Sequence, residues 1–165
     1  MDGFSRDGFI VDQNKFSAYR YRGMTSDVNG CGWVAAYNLR RAAGQRVDFD
    51  EVRREMNRMF PLQIPGPTPM WKLRRYLRRY LSFRFVMGKK RSLAAARTGA
   101  AGILRYWEGN TPHFVAFLRR ENGHYRFFNV SDGREDFVAP MDRFFEKHCR
   151  LGLIRVLILR GPEES

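Results

Sequence analysis

The sequence predicts an α+β domain, in which helices come first and an antiparallel β-sheet follows. Apolar residues recur at helical spacing mainly in the first half of the chain, whereas the second half contains short runs of β-branched and aromatic residues. Two of these runs are joined by Glu121-Asn122-Gly123, which is typical of a hairpin and therefore of antiparallel neighbours. Because strands and helices do not alternate as in βαβ units, a parallel sheet is not expected.

The predicted helices have recognisable start and stop signals. Asp27 or Asn29 is placed to cap the first helix, and Gly44 is placed to end it. Acidic residues in the first turn favour the second helix, and the four prolines of residues 61–69 indicate a loop after it. The third helix has a narrow apolar stripe opposite its basic residues. The predicted helices span residues 31–43, 48–60, 70–81, 92–98 and 141–149, the last beginning at Pro140.

The predicted strands complete the domain. They span residues 82–88, 101–107, 113–120, 124–130 and 153–159. The length of 165 residues suits one domain. We expect an N-terminal arm in residues 1–23, the domain itself in residues 24–160 and a C-terminal tail in residues 161–165.

The charge of the chain is strongly positive and unevenly distributed. The formal net charge is +13, and no acidic residue occurs between Glu55 and Glu108. A surface of this kind attracts an acidic partner or, as the less favoured choice, nucleic acid. The basic residues with which we expect such a face to bind anions are Lys72, Arg74, Arg75, Arg78 and Arg79.

Several classes of protein are excluded by what the sequence lacks. It has no apolar run of the length that spans a membrane and no secretory signal, so we expect a cytoplasmic protein. The two cysteines are far apart, and the three histidines are not clustered. We therefore expect no disulfide framework, no metal and no organic cofactor.

Cys31 occupies an unusual place for a cysteine. It lies between Gly30 and Gly32 and begins a predicted helix. A helix N-terminus lowers the pKa of a thiol, since its unpaired N–H groups and its dipole favour the thiolate, which is the nucleophilic form. The flanking glycines would let a substrate backbone approach, and the Cys31 N–H would point to where a carbonyl oxyanion forms. The alternative is a buried core cysteine.

His113 is the best candidate for the base that a nucleophilic Cys31 needs. It opens a predicted strand and would project from the sheet edge, where a helix N-terminus can meet it. The third group should orient the imidazole and come from the strand paired with that of His113. The hairpin brings Asn129 back beside His113, and Asp132 is the alternative third member.

These motifs together resemble the papain-like cysteine peptidases, most of all the branch that processes double-glycine leaders of bacteriocins. The segments are NGCGWVAAYNL, AAGILRYWEGNTPHFVAFLRR and FFNVSDG, with Asn129 sixteen residues after His113, and the likeness covers roughly residues 24–160. It implies a papain-like α+β fold, with helices packed on an antiparallel sheet, and cleavage of a peptide or protein substrate by Cys31, His113 and Asn129. The branch has Gln six residues before the cysteine as an oxyanion donor, whereas this chain has Thr25.

The sequence leaves open which residue donates to the oxyanion and which residues line a substrate cleft. Asn29 or Thr25 is expected to replace the missing glutamine as the side-chain donor to the oxyanion. Gly30, Gly32, Trp33 and Trp107 are candidates to line the substrate cleft, and for the two tryptophans packing in the core is the alternative. The alternative function is a catalytically weak or inactive papain-like module that binds an acidic partner or nucleic acid through its basic face.

Overall fold

A six-stranded antiparallel sheet with helices on both faces forms the centre of the molecule, and its strands lie in the order 83–87, 155–159, 101–108, 111–119, 124–128 and 137–140. The computed structural model describes residues 2–130 and 137–161. The strands are β1 (Arg20–Tyr21), β2 (Met24–Thr25), β3 (Phe83–Met87), β4 (Ala101–Glu108), β5 (Thr111–Arg119), β6 (His124–Phe128), β7 (Phe137–Pro140) and β8 (Arg155–Leu159). The helices are α1 (Ser26–Asn29), α2 (Cys31–Ala42), α3 (Phe49–Arg58), α4 (Met70–Leu77), α5 (Lys89–Thr98) and α6 (Met141–His148). The predicted α+β class is confirmed.

The alternation of side chains along the strands gives the sheet two apolar faces. Ile103 and Phe114 face the core formed with α2, α3 and α4. Leu104 and Val115 face the second core, which is formed with α5 and α6. Because each face is covered by helices, the strands are apolar on both sides, as the continuous runs in the sequence indicate.

Most predicted elements are present, with differences at their ends. Helix α4 stops at Leu77 rather than at residue 81, because the chain tightens there into turns in which Arg79 N–H bonds the Tyr76 carbonyl. Helix α5 begins at Lys89 and strand β5 at Thr111, each earlier than predicted. His113 therefore lies inside β5 rather than at its start. The short strands β1, β2 and β7 were not predicted.

The start of α2 differs from the capping prediction. Asp27 and Asn29 do not cap this helix, because both lie in the short helix α1 that precedes it. The N-cap of α2 is Gly30, which has no side chain to donate or accept a capping bond. The two helices are therefore separated by a single residue, and Cys31 is the first residue after the break.

The N-terminal arm packs into the core on the α2 face of the sheet. Phe9, Ile10 and Phe16 are buried there with α2. The buried Asn38 side chain of α2 makes two hydrogen bonds of 2.8 Å to the backbone of Ile10, one to its N–H and one to its carbonyl. Asn38 is thus a buried residue that holds the arm in place. In the described part of the chain, no helix combines the length and the apolar character that crossing a membrane requires.

Candidate active site

Cys31 lies where the helical hydrogen-bond ladder is interrupted. The first bond of α2 runs from the Val34 N–H to the Gly30 carbonyl (3.0 Å), so the Cys31 N–H comes before the ladder begins. The Asp27 carbonyl, which would accept this N–H in a continuous helix, accepts the Gln13 side chain at 2.7 Å. The Cys31 side chain is only 7% exposed. The Cys31 N–H is therefore a backbone donor outside the helical ladder, and it lies beside the buried Cys31 thiol.

His113 lies against Cys31 and uses its other ring nitrogen to contact the backbone. Its Nε2 atom is 2.8 Å from the main-chain carbonyl oxygen of Asn129. A carbonyl oxygen can only accept a hydrogen bond, so Nε2 carries the proton in the neutral ring. The basic lone pair is then on Nδ1, the nitrogen left to face Cys31. This is the tautomer that a base for the thiol requires.

The surroundings of His113 favour its charged form. Burial lowers the pKa of the ring, but the hydrogen bond and charge of Cys31, the Asn129 carbonyl and the charge of Glu108 together raise this pKa above its ordinary value. The ring also meets the edge of the Tyr106 ring, with 5.7 Å between centroids. These contacts therefore favour the imidazolium form of His113.

Asn129 meets His113 through its backbone rather than through its side chain. Its φ of +65° lies in the left-handed region, which asparagine tolerates better than most residues. The side-chain amide turns away from the ring and pairs with Gln13, at 2.7 Å from Asn129 Nδ2 to Gln13 Oε1. Sequence reasoning missed Gln13, because no local pattern marks a contact between residues so far apart. Asp132, the alternative third member, lies outside the described residues.

Of the two residues considered as oxyanion donors, Asn29 is the one with a buried side-chain donor that has no partner among the described residues. Its side chain is 5% exposed, and its Nδ2 atom is buried without a hydrogen-bond partner among the described residues. A buried amide donor without a partner costs free energy, so its retention indicates a use for it. Thr25 is half-buried before α1, and its side chain makes no capping hydrogen bond.

Three of the four residues predicted to line a cleft are packed against the protein itself. A Cβ atom at Gly32 would overlap the Thr68 side chain, and one at Gly30 would overlap the Ser26 carbonyl. Trp33 is completely buried and donates its indole N–H to the Ser26 hydroxyl at 3.2 Å. The two glycines therefore serve close packing, and a cleft-lining role for these three residues stays a prediction.

Trp107 lies in a more open place. It borders a cavity of about 220 Å³ together with residues of α6 and the segment after it, among them Lys147 and Leu151. The Arg105 guanidinium carbon is 5.5 Å from the centroid of the Trp107 ring. A role for Trp107 in a substrate cleft stays a prediction.

Arg105 is a second residue near the site that sequence reasoning missed. It lies on β4 opposite Arg155 of β8. Burial and the Arg155 charge lower the pKa of Arg105, whereas the negative charge of Cys31 acts in the opposite direction. Arg105 therefore lies within electrostatic range of Cys31.

The five residues of the predicted basic face divide into two groups. Lys72 donates to the Met59 carbonyl and lies 4.0 Å above the Phe60 ring. The Arg74 guanidinium lies 4.0 Å above the Phe85 ring, so both side chains turn towards the protein. The residues that face solvent are Arg75, Arg78 and Arg79.

The remaining cysteine and histidines lie in other environments. Burial raises the pKa of the Cys149 thiol to about 12. His124 is exposed, and the His148 ring stacks on Phe144 with 4.6 Å between centroids. Within residues 2–130 and 137–161, no three metal-binding side chains lie close enough together to hold an ion.

The comparisons with known proteins identify the fold. No protein-family model and no curated protein sequence matches the chain. Among solved structures, it is similar to the peptidase domain of Streptococcus ComA, a bi-functional ABC transporter involved in a quorum-sensing pathway. The TM-score is 0.54 at 12% sequence identity, over 81% of this chain and 94% of that domain. The papain-like fold expected from the sequence resemblance is therefore confirmed.

Proposed function

We propose that this chain is a cysteine peptidase, or a related thiol acyl-transfer hydrolase, that acts on a peptide or protein. Cys31 is the nucleophile, His113 is the base and then the acid, and Asn129 orients the imidazole. The observation that carries the proposal is the contact of His113 with Cys31, together with the 2.8 Å approach of His113 Nε2 to the Asn129 carbonyl. The shared fold of the ComA peptidase domain supports the same conclusion.

The first half of the proposed reaction forms a thioester. His113 Nδ1 takes the proton of the Cys31 thiol, and the thiolate sulfur attacks the carbonyl carbon of the substrate. The carbonyl oxygen becomes an oxyanion, which the Cys31 N–H and the unpaired Asn29 Nδ2 stabilise. The imidazolium then gives its proton to the leaving amine as the carbon–nitrogen bond breaks.

The second half regenerates the enzyme. His113 Nδ1 removes a proton from a water molecule, whose oxygen attacks the thioester carbonyl. The same two donors stabilise the second oxyanion, and the carbon–sulfur bond breaks to release the acid. Throughout both halves the Asn129 carbonyl holds the Nε2 proton, so the ring keeps one tautomer and one orientation.

An activated ester tests this function without knowledge of the natural substrate. Acetyl transfer from p-nitrophenyl acetate to Cys31 releases one p-nitrophenolate per site, and mass spectrometry locates the acetyl group. We expect acylation at Cys31, loss of the burst in Cys31→Ala and a strong decrease in His113→Ala. The buried Cys149 is the internal control, and Cys149→Ala should acylate like the wild type. Acylation that is independent of His113 would contradict the proposal.

A second candidate function is binding of an acidic partner through the exposed part of the basic face. A groove of about 630 Å³ is bordered by Met59, Trp71, Lys72, Arg75 and Arg79. The Trp71 side chain is 57% exposed, so an apolar surface lies beside the cations. The interleaved Tyr76 is fully buried and cannot stack on bases, so Trp71 is the exposed aromatic ring that borders this groove.

Fluorescent polyglutamate is a suitable probe for this second function. Binding should weaken with added salt and fall when Arg75, Arg78 and Arg79 are changed together to Gln. Neutralising the exposed Lys89, Lys90 and Arg91 instead removes the same charge elsewhere and should leave most of the binding. Tighter binding to single-stranded DNA than to polyglutamate would favour nucleic acid, and equal losses in both triple variants would contradict a defined site.

A further inference from the structure

The N-terminal arm follows strand β6 through successive side-chain contacts. The Asp7 carboxylate accepts a hydrogen bond of 2.6 Å from Arg126, whose side chain is 7% exposed. Phe9 stacks on Phe128, with 4.3 Å between ring centroids and 12° between ring planes. These contacts bring the next part of the arm, residues 12–14, to the end of β6, where Asn129 follows.

Gln13 is the residue of the arm that reaches the candidate active site. Its backbone N–H donates to Asn129 Oδ1 at 3.0 Å, and its Oε1 accepts from Asn129 Nδ2 at 2.7 Å. Its Nε2 donates to the Asp27 carbonyl at 2.7 Å. One side chain therefore joins two segments that are otherwise distant in the sequence.

Each of these two segments controls one half of the site. Asn129 presents the carbonyl that holds His113 Nε2. Asp27 precedes Cys31 by four residues, so its carbonyl is the acceptor that a continuous helix would offer to the Cys31 N–H. Gln13 donates to this carbonyl at the point where α1 has ended and the Cys31 N–H lies outside the ladder.

We propose that Gln13 is a positioning residue, which holds the Asn129 carbonyl against His113 and keeps the Cys31 N–H available as an oxyanion donor. This inference rests on the proposed function and adds the N-terminal arm to the catalytic unit. Gln13 touches neither Cys31 nor His113 in the contacts described, and it acts through Asn129 and Asp27.

Substitution at Gln13 can remove the hydrogen bond to Asp27 without removing the one from Asn129. Gln13→Glu keeps an oxygen that accepts from Asn129 Nδ2 but removes the donor to the Asp27 carbonyl. Gln13→Ala removes both side-chain contacts and leaves only the backbone N–H bond to Asn129. Asn14→Ala is the matched control, because it removes an exposed amide from the same turn. In the described structure, the Asn14 side chain bonds only the Asp12 carboxylate.

Two reactions of Cys31 separate the effect of Gln13 on the His113 ring from its effect on the Cys31 N–H. Alkylation by iodoacetamide needs only the thiolate, whereas acylation by p-nitrophenyl acetate also needs the oxyanion donors. We expect Gln13→Glu to lower acylation about tenfold or more with little change in alkylation. We expect Gln13→Ala to lower acylation further and also to reduce alkylation at acidic pH. Asn14→Ala should match the wild type in both reactions.

Nuclear magnetic resonance of the His113 ring gives a readout that does not depend on turnover. The groups that face this ring are Cys31, Glu108, the Tyr106 ring and the Asn129 carbonyl. Of these, the Asn129 carbonyl raises the pKa of His113 and belongs to the residue whose side chain loses its Gln13 side-chain contact in Gln13→Ala. We therefore expect a lower ring pKa in Gln13→Ala and an unchanged one in Asn14→Ala. Thermal unfolding of each variant verifies that it is folded.

The outcomes distinguish this inference from the proposed function. If the wild type shows His113-dependent acylation and Gln13→Ala matches it in acylation and ring titration, the inference is overturned and the proposed function stands. If the wild type shows no His113-dependent reactivity, the proposed function fails. The ring titration still decides the positioning role in that case, since an unchanged His113 pKa in Gln13→Ala overturns it.

Discussion

His113 Nε2 is 2.8 Å from the main-chain carbonyl oxygen of Asn129, and the Asn129 side chain is not the group that holds the ring. A main-chain carbonyl fixes the same tautomer that a side-chain oxygen would, because either oxygen can only accept. The side chain has a different task, since it is paired with Gln13. The orientation of the His113 ring, the proposed base, therefore depends on backbone conformation at a residue with a φ of +65°.

Substitutions at Asn129 should reflect this backbone role. Asn129→Gly keeps the carbonyl and accepts the positive φ, so we expect a modest loss of acylation. Asn129→Ala keeps the carbonyl but strains the backbone by roughly 1–2 kcal/mol, so the loss should be greater and the protein less stable. Acylation rates and urea unfolding measure both effects. A loss in Asn129→Gly as large as in His113→Ala would contradict a role for the main-chain carbonyl.

Asn29→Ala should separate activity from stability. Removing one oxyanion donor is expected to lower the acylation rate by about 10²–10³-fold, with alkylation of Cys31 unaffected. The melting temperature should not fall, because the Asn29 Nδ2 has no partner to lose in the described structure. Thr25→Val, which removes the hydroxyl of the other candidate donor, is the comparison. A decrease confined to Thr25→Val would assign the donor role to Thr25 instead.

The pKa of His113 should depend on Cys31. The hydrogen bond and charge of Cys31 are the largest of the contributions that raise this pKa, so Cys31→Ser should lower it. A group with a raised folded-state pKa stabilises the fold below its unfolded pKa, and this contribution is lost as pH rises through the folded value. The titration of the ring resonances in the two proteins measures the shift, and an identical pKa in both would contradict the pairing.

The ion pair between Asp7 of the arm and Arg126 of β6 should make the free energy of unfolding depend on pH. Burial raises the pKa of Asp7, but the hydrogen bonds from Arg126 and Ser5 and the Arg126 charge outweigh it, so the folded pKa is lowered. The resulting stabilisation is present above the unfolded pKa and is lost as pH falls through the folded value. Because Asp7 is half exposed, Asp7→Asn should cost under about 1 kcal/mol at neutral pH and less in acid. Urea unfolding at several pH values measures this, and a cost that is constant with pH would contradict it.

The sequence predicted the parts of the site that local patterns encode. A turn before a helix placed Cys31 at a helix start, and a hairpin signal predicted that β6 returns beside β5. Ala116 pairs with Phe128, and the next residue, Asn129, meets the His113 ring through its carbonyl. The Asn129 side-chain contact with Gln13 crosses most of the chain and leaves no such pattern. The close packing of the glycines beside Cys31 was not predicted, because substrate access and close packing both require the absence of a side chain.

The central claim, a reactive pair of Cys31 and His113, is tested most directly by the rate of alkylation of Cys31 as a function of pH. Iodoacetamide labelling between about pH 5 and pH 9, followed site by site with mass spectrometry, compares Cys31 with the buried Cys149 in the wild type and in His113→Ala. The account predicts that Cys31 reacts at acidic pH, that His113→Ala removes this reactivity and that Cys149 stays inert. A Cys31 that reacts only at alkaline pH, with or without His113, would contradict it.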